Sequence, residues 1–275
     1  MRKQPFSISP NPLLLYLTPP LQVTLEKVRF VVDSRQGLTA ILGDVGLGKS
    51  TVIRYLFNEY DVREEVAATL IPSPNFPSEF AFLKKICADF ELPARRSMVD
   101  QENELRRFLL DMYAQDKLCV VFIDEAQRLT GRQLELVRTL LNFETDETKL
   151  IQVVLAAQLE LKQKLADPSK KALRSRIFAP SLLAALSLNE TQEMVNFRCK
   201  QAGVKNTFAP DAIETLYTLT GGIPREILKV AAVAWRFSEA DGHRITPELI
   251  QEAAGEAVLN TEQENAEQSL AEAGR

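Results

Sequence analysis

Apolar residues in this chain fall into short runs separated by stretches with helical period. Leu38–Leu42, 65–71, Leu118–Ile123 and 150–156 are such runs, and 182–188 offers a fifth. Leu118–Ile123 is unbroken, as suits a strand buried on both faces of a sheet. Between the runs, 21–32, 51–60, 80–90, 101–114 and 127–141 repeat apolar positions every three or four residues and read as helices. Strands alternating with helices predict a three-layer α/β sandwich around a parallel sheet. From Asn189 onward the pattern changes: helical periods recur at 190–202, 210–219, 224–239 and 246–258, with Gly203, Gly221, Gly222 and Gly242 near the breaks. That is a small all-helical domain. Pro5, Pro10, Pro12, Pro19 and Pro20 predict an extended arm over 1–20, since proline has no N–H to give a helix. The expected layout is an arm over 1–20, an α/β domain over 21–188, a helical domain over 189–259 and a flexible acidic tail over 260–275.

The connection after the first strand carries the chemistry. Gly43-Asp44-Val45-Gly46-Leu47-Gly48-Lys49-Ser50, with Thr51 behind it, fits G-x-x-x-x-G-K-S between a strand and a helix, the context a phosphate-binding loop requires. Glycines let successive N–H groups and the helix N-terminus face phosphates. Lys49 is expected to reach the β- and γ-phosphates of ATP, and Ser50 to ligate Mg²⁺. The third run, Leu118–Ile123, ends in Asp124-Glu125. A carboxylate there is placed to hold Mg²⁺ through water, which assigns Asp124. Glu125 then stands where a general base polarises the attacking water. The same two residues also suit the cap of the following helix.

Composition narrows the alternatives. Of 275 residues, 45% are apolar and 25% charged, ordinary for a soluble globular protein. No apolar run approaches the ~20 residues of a membrane span, and Leu13-Leu14-Leu15 is too short for a signal-peptide core. Cys87, Cys119 and Cys199 lack C-x-x-C spacing, so reduced thiols and a cytoplasmic location are expected. With His243 as the only histidine, in an Asp-Gly-His-Arg turn, neither a Ser-His-Asp triad nor a zinc site can be built. Net charge is −4 and the pI about 5.4, which argues against whole-surface nucleic-acid binding but not against a local basic strip. Lys162, Lys164, Lys170, Lys171, Arg174 and Arg176 form one, opposed internally by Asp167. It is open to three readings: a solvated helix face, a subunit interface or a phosphate-contacting surface.

An α/β phosphate-loop domain followed by a helical lid resembles the AAA+ ATPases. That resemblance implies ATP and Mg²⁺ as ligands and a polar sensor at Gln158, after the fourth strand. It also implies a nucleotide contact from the lid by Arg225, in Gly221-Gly222-Ile223-Pro224-Arg225, and an arginine finger into a neighbouring subunit from Arg174 or Arg176. More closely, residues 5–258 are similar to the ExeA type, the general secretion pathway A ATPases and their pilus relatives. The similarity rests on Pro5-Phe6-Ser7-Ile8-Ser9-Pro10-Asn11-Pro12, Leu15-Tyr16-Leu17, Ile123-Asp124-Glu125-Ala126-Gln127, Leu141-Asn142-Phe143-Glu144-Thr145-Asp146 and Lys164-Leu165-Ala166-Asp167-Pro168-Ser169. In that family the N-terminal arm lies by the adenine, which implies base contacts from Tyr16 and Leu17. The sequence departs from the type at Ala157-Gln158-Leu159-Glu160-Leu161, where members tend to read Gly-Gln-Pro-Glu-Leu.

Secretion-type members continue into a transmembrane helix and a peptidoglycan-binding region, which this sequence does not show. In architecture the chain equally resembles the transposition regulators TnsC and MuB. The expectation is an ATPase whose homo-oligomers, ring or filament, assemble through the γ-phosphate and signal to a transposase on double-stranded DNA. Two alternatives stand beside it: a cytoplasmic ATPase of secretion or pilus assembly, and a nucleotide-gated scaffold with little turnover.

Overall fold

A computed structural model describes residues 4–241 and 244–257. They divide into two compact units, one of residues 10–184 and the other of residues 4–9 together with those from 185 onward. The expected arm over 1–20 is therefore not one element. Residues 4–9 belong to the helical unit, and Pro19 and Pro20 open helix α1, Pro19–Asp33. Proline is tolerated in a first helical turn because its missing N–H would have no partner there. Thr18 caps the same turn, its hydroxyl accepting from the Leu21 N–H at 3.3 Å.

In the α/β unit, five parallel strands lie in the order β2-β3-β4-β1-β5. They are β1 Leu38–Leu42, β2 Val66–Ile71, β3 Leu118–Ile123, β4 Gln152–Ala157 and β5 Ser181–Leu182. The fifth strand is shorter and earlier than 182–188. Only Ile41↔Ser181 and Leu42↔Leu182 pair, and the chain then leaves the sheet edge. α2 (Lys49–Asp61) follows β1, α3 (Glu79–Asp89) and α4 (Met98–Ala114) precede β3, and α5 (Gly131–Leu140) precedes β4. Alternate residues of β3 feed two cores. Cys119, Val121 and Ile123 pack with α3, α4 and α5, while Leu118, Val120 and Phe122 pack with α1 and α2 through Leu25, Val28, Ile53, Leu56 and Tyr60. Both faces are covered, so the strands are mostly apolar, with Thr39, Thr69, Gln152 and Ser181 as buried polar exceptions.

α5 starts at Gly131, not at 127, because Thr130 and Gln133 form a capping box and residues 126–128 make a separate 3₁₀ turn. After β4 come α6 (Leu159–Ala166) and the short α7 (Lys171–Arg174). The basic run lies on and around this pair.

The helical unit holds α8 (Leu188–Ala202), α9 (Pro210–Thr220), α10 (Pro224–Asp241) and α11 (Pro247–Ala257). Ser187 and Glu190 form the capping box of α8. Phe6 is buried in this unit, edge-on to Phe208 and Trp235 with ring centroids 5.6 and 6.0 Å away. The Arg198 guanidinium donates to the Ser7 carbonyl at 3.2 Å, and burial pushes its pKa down to about 10. His243 and residues 258–275, which include the expected tail, lie outside the described residues.

Candidate active site

Sheet order alone converges the predicted residues. β3, β4 and β1 are consecutive neighbours, with Ile123 opposite Leu155 and Ala157 opposite Leu42. Their C-terminal ends therefore bring Asp124-Glu125, Gln158 and the phosphate loop side by side. Crevices outside the carboxyl ends of parallel strands are where such sheets bind ligands.

The loop takes its shape from glycine. Gly46 and Gly48 adopt φ of +84° and +88°, a region that L side chains enter only at a cost. A methyl group at Gly43 would come within 3.2 Å of Leu183 and Leu47. α2 starts at Lys49 with no side-chain cap on its N-terminus, and the positive end of its dipole favours an anion there. Lys49 is buried, and its ammonium donates to the Gly43 and Asp44 carbonyls at 2.9 and 2.6 Å. A buried ammonium curled onto its own loop is placed to exchange those carbonyls for phosphate oxygens.

Asp124 is buried at the end of β3. Burial pushes its carboxyl above the ordinary range, opposed by hydrogen bonds from the Ser50 hydroxyl and the Glu125 N–H, the latter at 2.9 Å. Two hard oxygen donors within hydrogen-bond reach of each other suit one small divalent cation. Ser50 and Asp124 thus fit the Mg²⁺ site expected of them, and Lys49, whose charge acts on Asp124, would face the phosphates of the same ligand.

Glu125 follows in left-handed backbone, φ +53°. One carboxylate oxygen, Oε2, accepts from Gln127 Nε2 at 2.6 Å and from Gln158 Nε2 at 3.4 Å. Gln158 and Glu125 are therefore joined, as a sensor and a base acting on one water would need to be. Gln127 also accepts the Gln158 backbone N–H at 3.1 Å. Its part was not legible in the sequence, where it sat in the acidic motif as the first residue of an expected helix. The only available signal was its place two residues after Glu125.

The remaining predicted residues sit apart. Tyr16 and Leu17 are half-buried in the α/β unit, where Leu17 packs against the α1–α2 core. Arg174 donates to the Leu165 and Ala166 carbonyls at the end of α6, and Arg176 to the Arg138 carbonyl in the last turn of α5. Both guanidiniums stabilise helix C-termini, where exposed carbonyls and the dipole favour a cation. Arg225 is exposed in the first turn of α10 in the helical unit. Gly222, two positions after α9, has φ +72°, and a Cβ there would lie 2.1 Å from the Leu186 carbonyl oxygen.

Fold and site together define an AAA+ P-loop ATPase, and residues 32–165 match the AAA domain family. Within that class the chain is 40% identical over 230 residues to the general secretion pathway protein A of Aeromonas hydrophila, a match covering 82% of this chain and 42% of that protein. The chain thus spans less than half of that relative's length. Among solved structures, the Aeropyrum pernix ORC2 protein in ADPNP–ADP complexes superposes with a TM-score of 0.68 at 18% identity, covering 95% of this chain and 74% of that one. The Aeropyrum pernix ORC1 protein in complex with DNA gives 0.63 at 15% identity, covering 89% and 68%. Among the described residues, no helix is long and apolar enough to cross a membrane.

Proposed function

We propose that this AAA+ ATPase hydrolyses Mg²⁺–ATP to control its own oligomerisation and, through it, the activity of a partner. The observation that carries the reading is the adjacency of Lys49, Ser50, Asp124, Glu125 and Gln158 at three neighbouring strand ends. Lys49 leaves the loop carbonyls for the β- and γ-phosphates, and the loop N–H groups take the remaining phosphate oxygens. Ser50 and Asp124 hold Mg²⁺, which when bound offsets charge on the phosphates. Glu125 accepts a proton from water as the water oxygen adds to the γ-phosphorus and the bridging oxygen departs with ADP. Gln158 orients the same water from the end of β4. Tyr16 and Leu17 border the base, and Arg225 contacts nucleotide from the helical unit. Arg174 or Arg176 of a neighbouring copy supplies a cation to the transferring phosphoryl, which makes assembly depend on the γ-phosphate.

For the partner, the first reading is double-stranded DNA and a transposase. It is supported by the basic segment on α6 and α7 and by a fold shared with a protein solved on DNA. The second is a component of secretion or pilus assembly, favoured by 40% identity to a protein named for general secretion. ATPase rate and particle size, measured with and without DNA across a salt series, separate them. DNA-stimulated assembly that weakens steeply with salt supports the first, since phosphate contacts release counterions. ATP-dependent oligomers indifferent to DNA support the second.

A further inference from the structure

We propose that Gln127 is a positioning residue that sets the orientation of the Glu125 carboxylate. The proposal rests on the reading of Glu125 as the base. Glu125 Oε2 has three neighbouring donors of unequal weight. Gln127 Nε2, at 2.6 Å, makes a short bond to the carboxyl oxygen. Gln158 Nε2 at 3.4 Å is at the weak end of the range. Arg128 Nε stands 3.9 Å away on a side chain 60% exposed, where solvent screens it. The grip on the carboxylate is therefore mainly that of Gln127.

The far end of the same amide is also fixed. Gln127 Oε1 accepts the Gln158 N–H at 3.1 Å. Only one amide orientation satisfies both contacts, because the NH₂ must face the carboxylate and the carbonyl must face the N–H. The backbone beneath is held as well: Lys164, on α6, donates to the Gln127 and Leu129 carbonyls and ties down the 3₁₀ turn. All three donors act on Oε2, and Oε1 takes none of these bonds. Gln127 thus holds one oxygen still and leaves the other to meet water. With Glu125 in left-handed backbone, a carboxylate released from this amide would turn toward Arg128.

Two substitutions separate the two ends of the amide. Gln127→Glu keeps an acceptor for the Gln158 N–H but replaces the donor with a second carboxylate; Gln127→Met keeps the length and neither bond. Misplacing a catalytic group by about 1 Å costs up to ~100-fold. Both variants are accordingly expected to lose roughly 10- to 100-fold in kcat with ATP affinity within about twofold of the parent. In a Glu125→Gln background, Gln127→Met is expected to add no further loss to the single-turnover rate, because both act through one carboxylate. Parental kcat in Gln127→Glu would overturn the proposal and leave Gln127 as an anchor for the β4 end. So would a loss confined to affinity, or a full multiplicative loss in the Glu125→Gln background. If Glu125→Gln alone turns over at the parental rate, the assignment of the base fails and this proposal falls with it. An inactive Glu125→Gln beside an active Gln127→Glu removes this proposal alone.

Discussion

Lys49 shows how much of the site is written in consecutive residues. The strand, two left-handed glycines, the buried lysine and the uncapped helix occupy one stretch from Leu38 to Asp61, so a local motif was enough to find them. Removing the ammonium takes away charge-assisted bonds worth ~1.5–3 kcal/mol each. Lys49→Ala should therefore weaken ATP binding by roughly 10- to 100-fold in a calorimetric titration, with the fold retained; unchanged affinity would mean that the loop does not hold phosphate. Gln127 and Lys164 were not legible, because their roles depend on partners that only β4 and α6 bring alongside. Arg174 was expected as a finger and is found holding the end of α6. The two roles separate in Arg174→Ala and Arg176→Ala. If either side chain acts in a neighbouring copy, its loss should leave nucleotide affinity near parental and abolish turnover that rises with protein concentration. A loss of affinity alone would argue against the finger role. Cap effects, about 0.3–1 kcal/mol, should appear in the unfolding temperature of either variant.

Elements with short apolar runs were legible in type and nearly in extent; those set by tertiary pairing were not. β1 and β3 match their runs because burial on both faces demands it. β5 did not follow its apolar run, since Leu182 is 66% exposed and only two residues pair. The 3₁₀ turn before α5 was hidden because helical spacing says nothing about left-handed Glu125 or the Thr130 cap. The arm was misjudged for a similar reason: proline content reports what a segment cannot form, not what it packs on. Phe6 makes the consequence measurable. A buried Phe→Ala change costs about 3–5 kcal/mol, so Phe6→Ala should destabilise the helical unit by that order, seen as an earlier transition in denaturant. A cost below about 1 kcal/mol would show that Phe6 adds little to that core.

At the scale of the whole molecule, the three thiols report on both units together. Burial raises Cys87 to about 11, Cys119 to about 12 and Cys199 to about 11, and all three are buried. The thiolate is the reactive form, so alkylation of the native protein at pH 8 should be slow, and labelling should track unfolding. Rapid labelling of Cys199 with Cys87 and Cys119 protected would instead reveal opening of the helical unit alone.

The path of the chain has one more consequence. Residues 4–9 pack with a unit whose other residues come after 184, so the aromatic cluster of Phe6, Phe208 and Trp235 joins segments about 200 residues apart in sequence. On the ribosome, Phe6 emerges ahead of the entire α/β unit and waits through its synthesis before Phe208 and Trp235 exist. Early chains carry an unsheltered aromatic segment, and the helical unit closes only after the α/β unit has been made. Non-local closure of this kind is slow. A rearranged gene that places residues 4–9 directly after the helical segment would make that contact local and should speed the refolding of that unit.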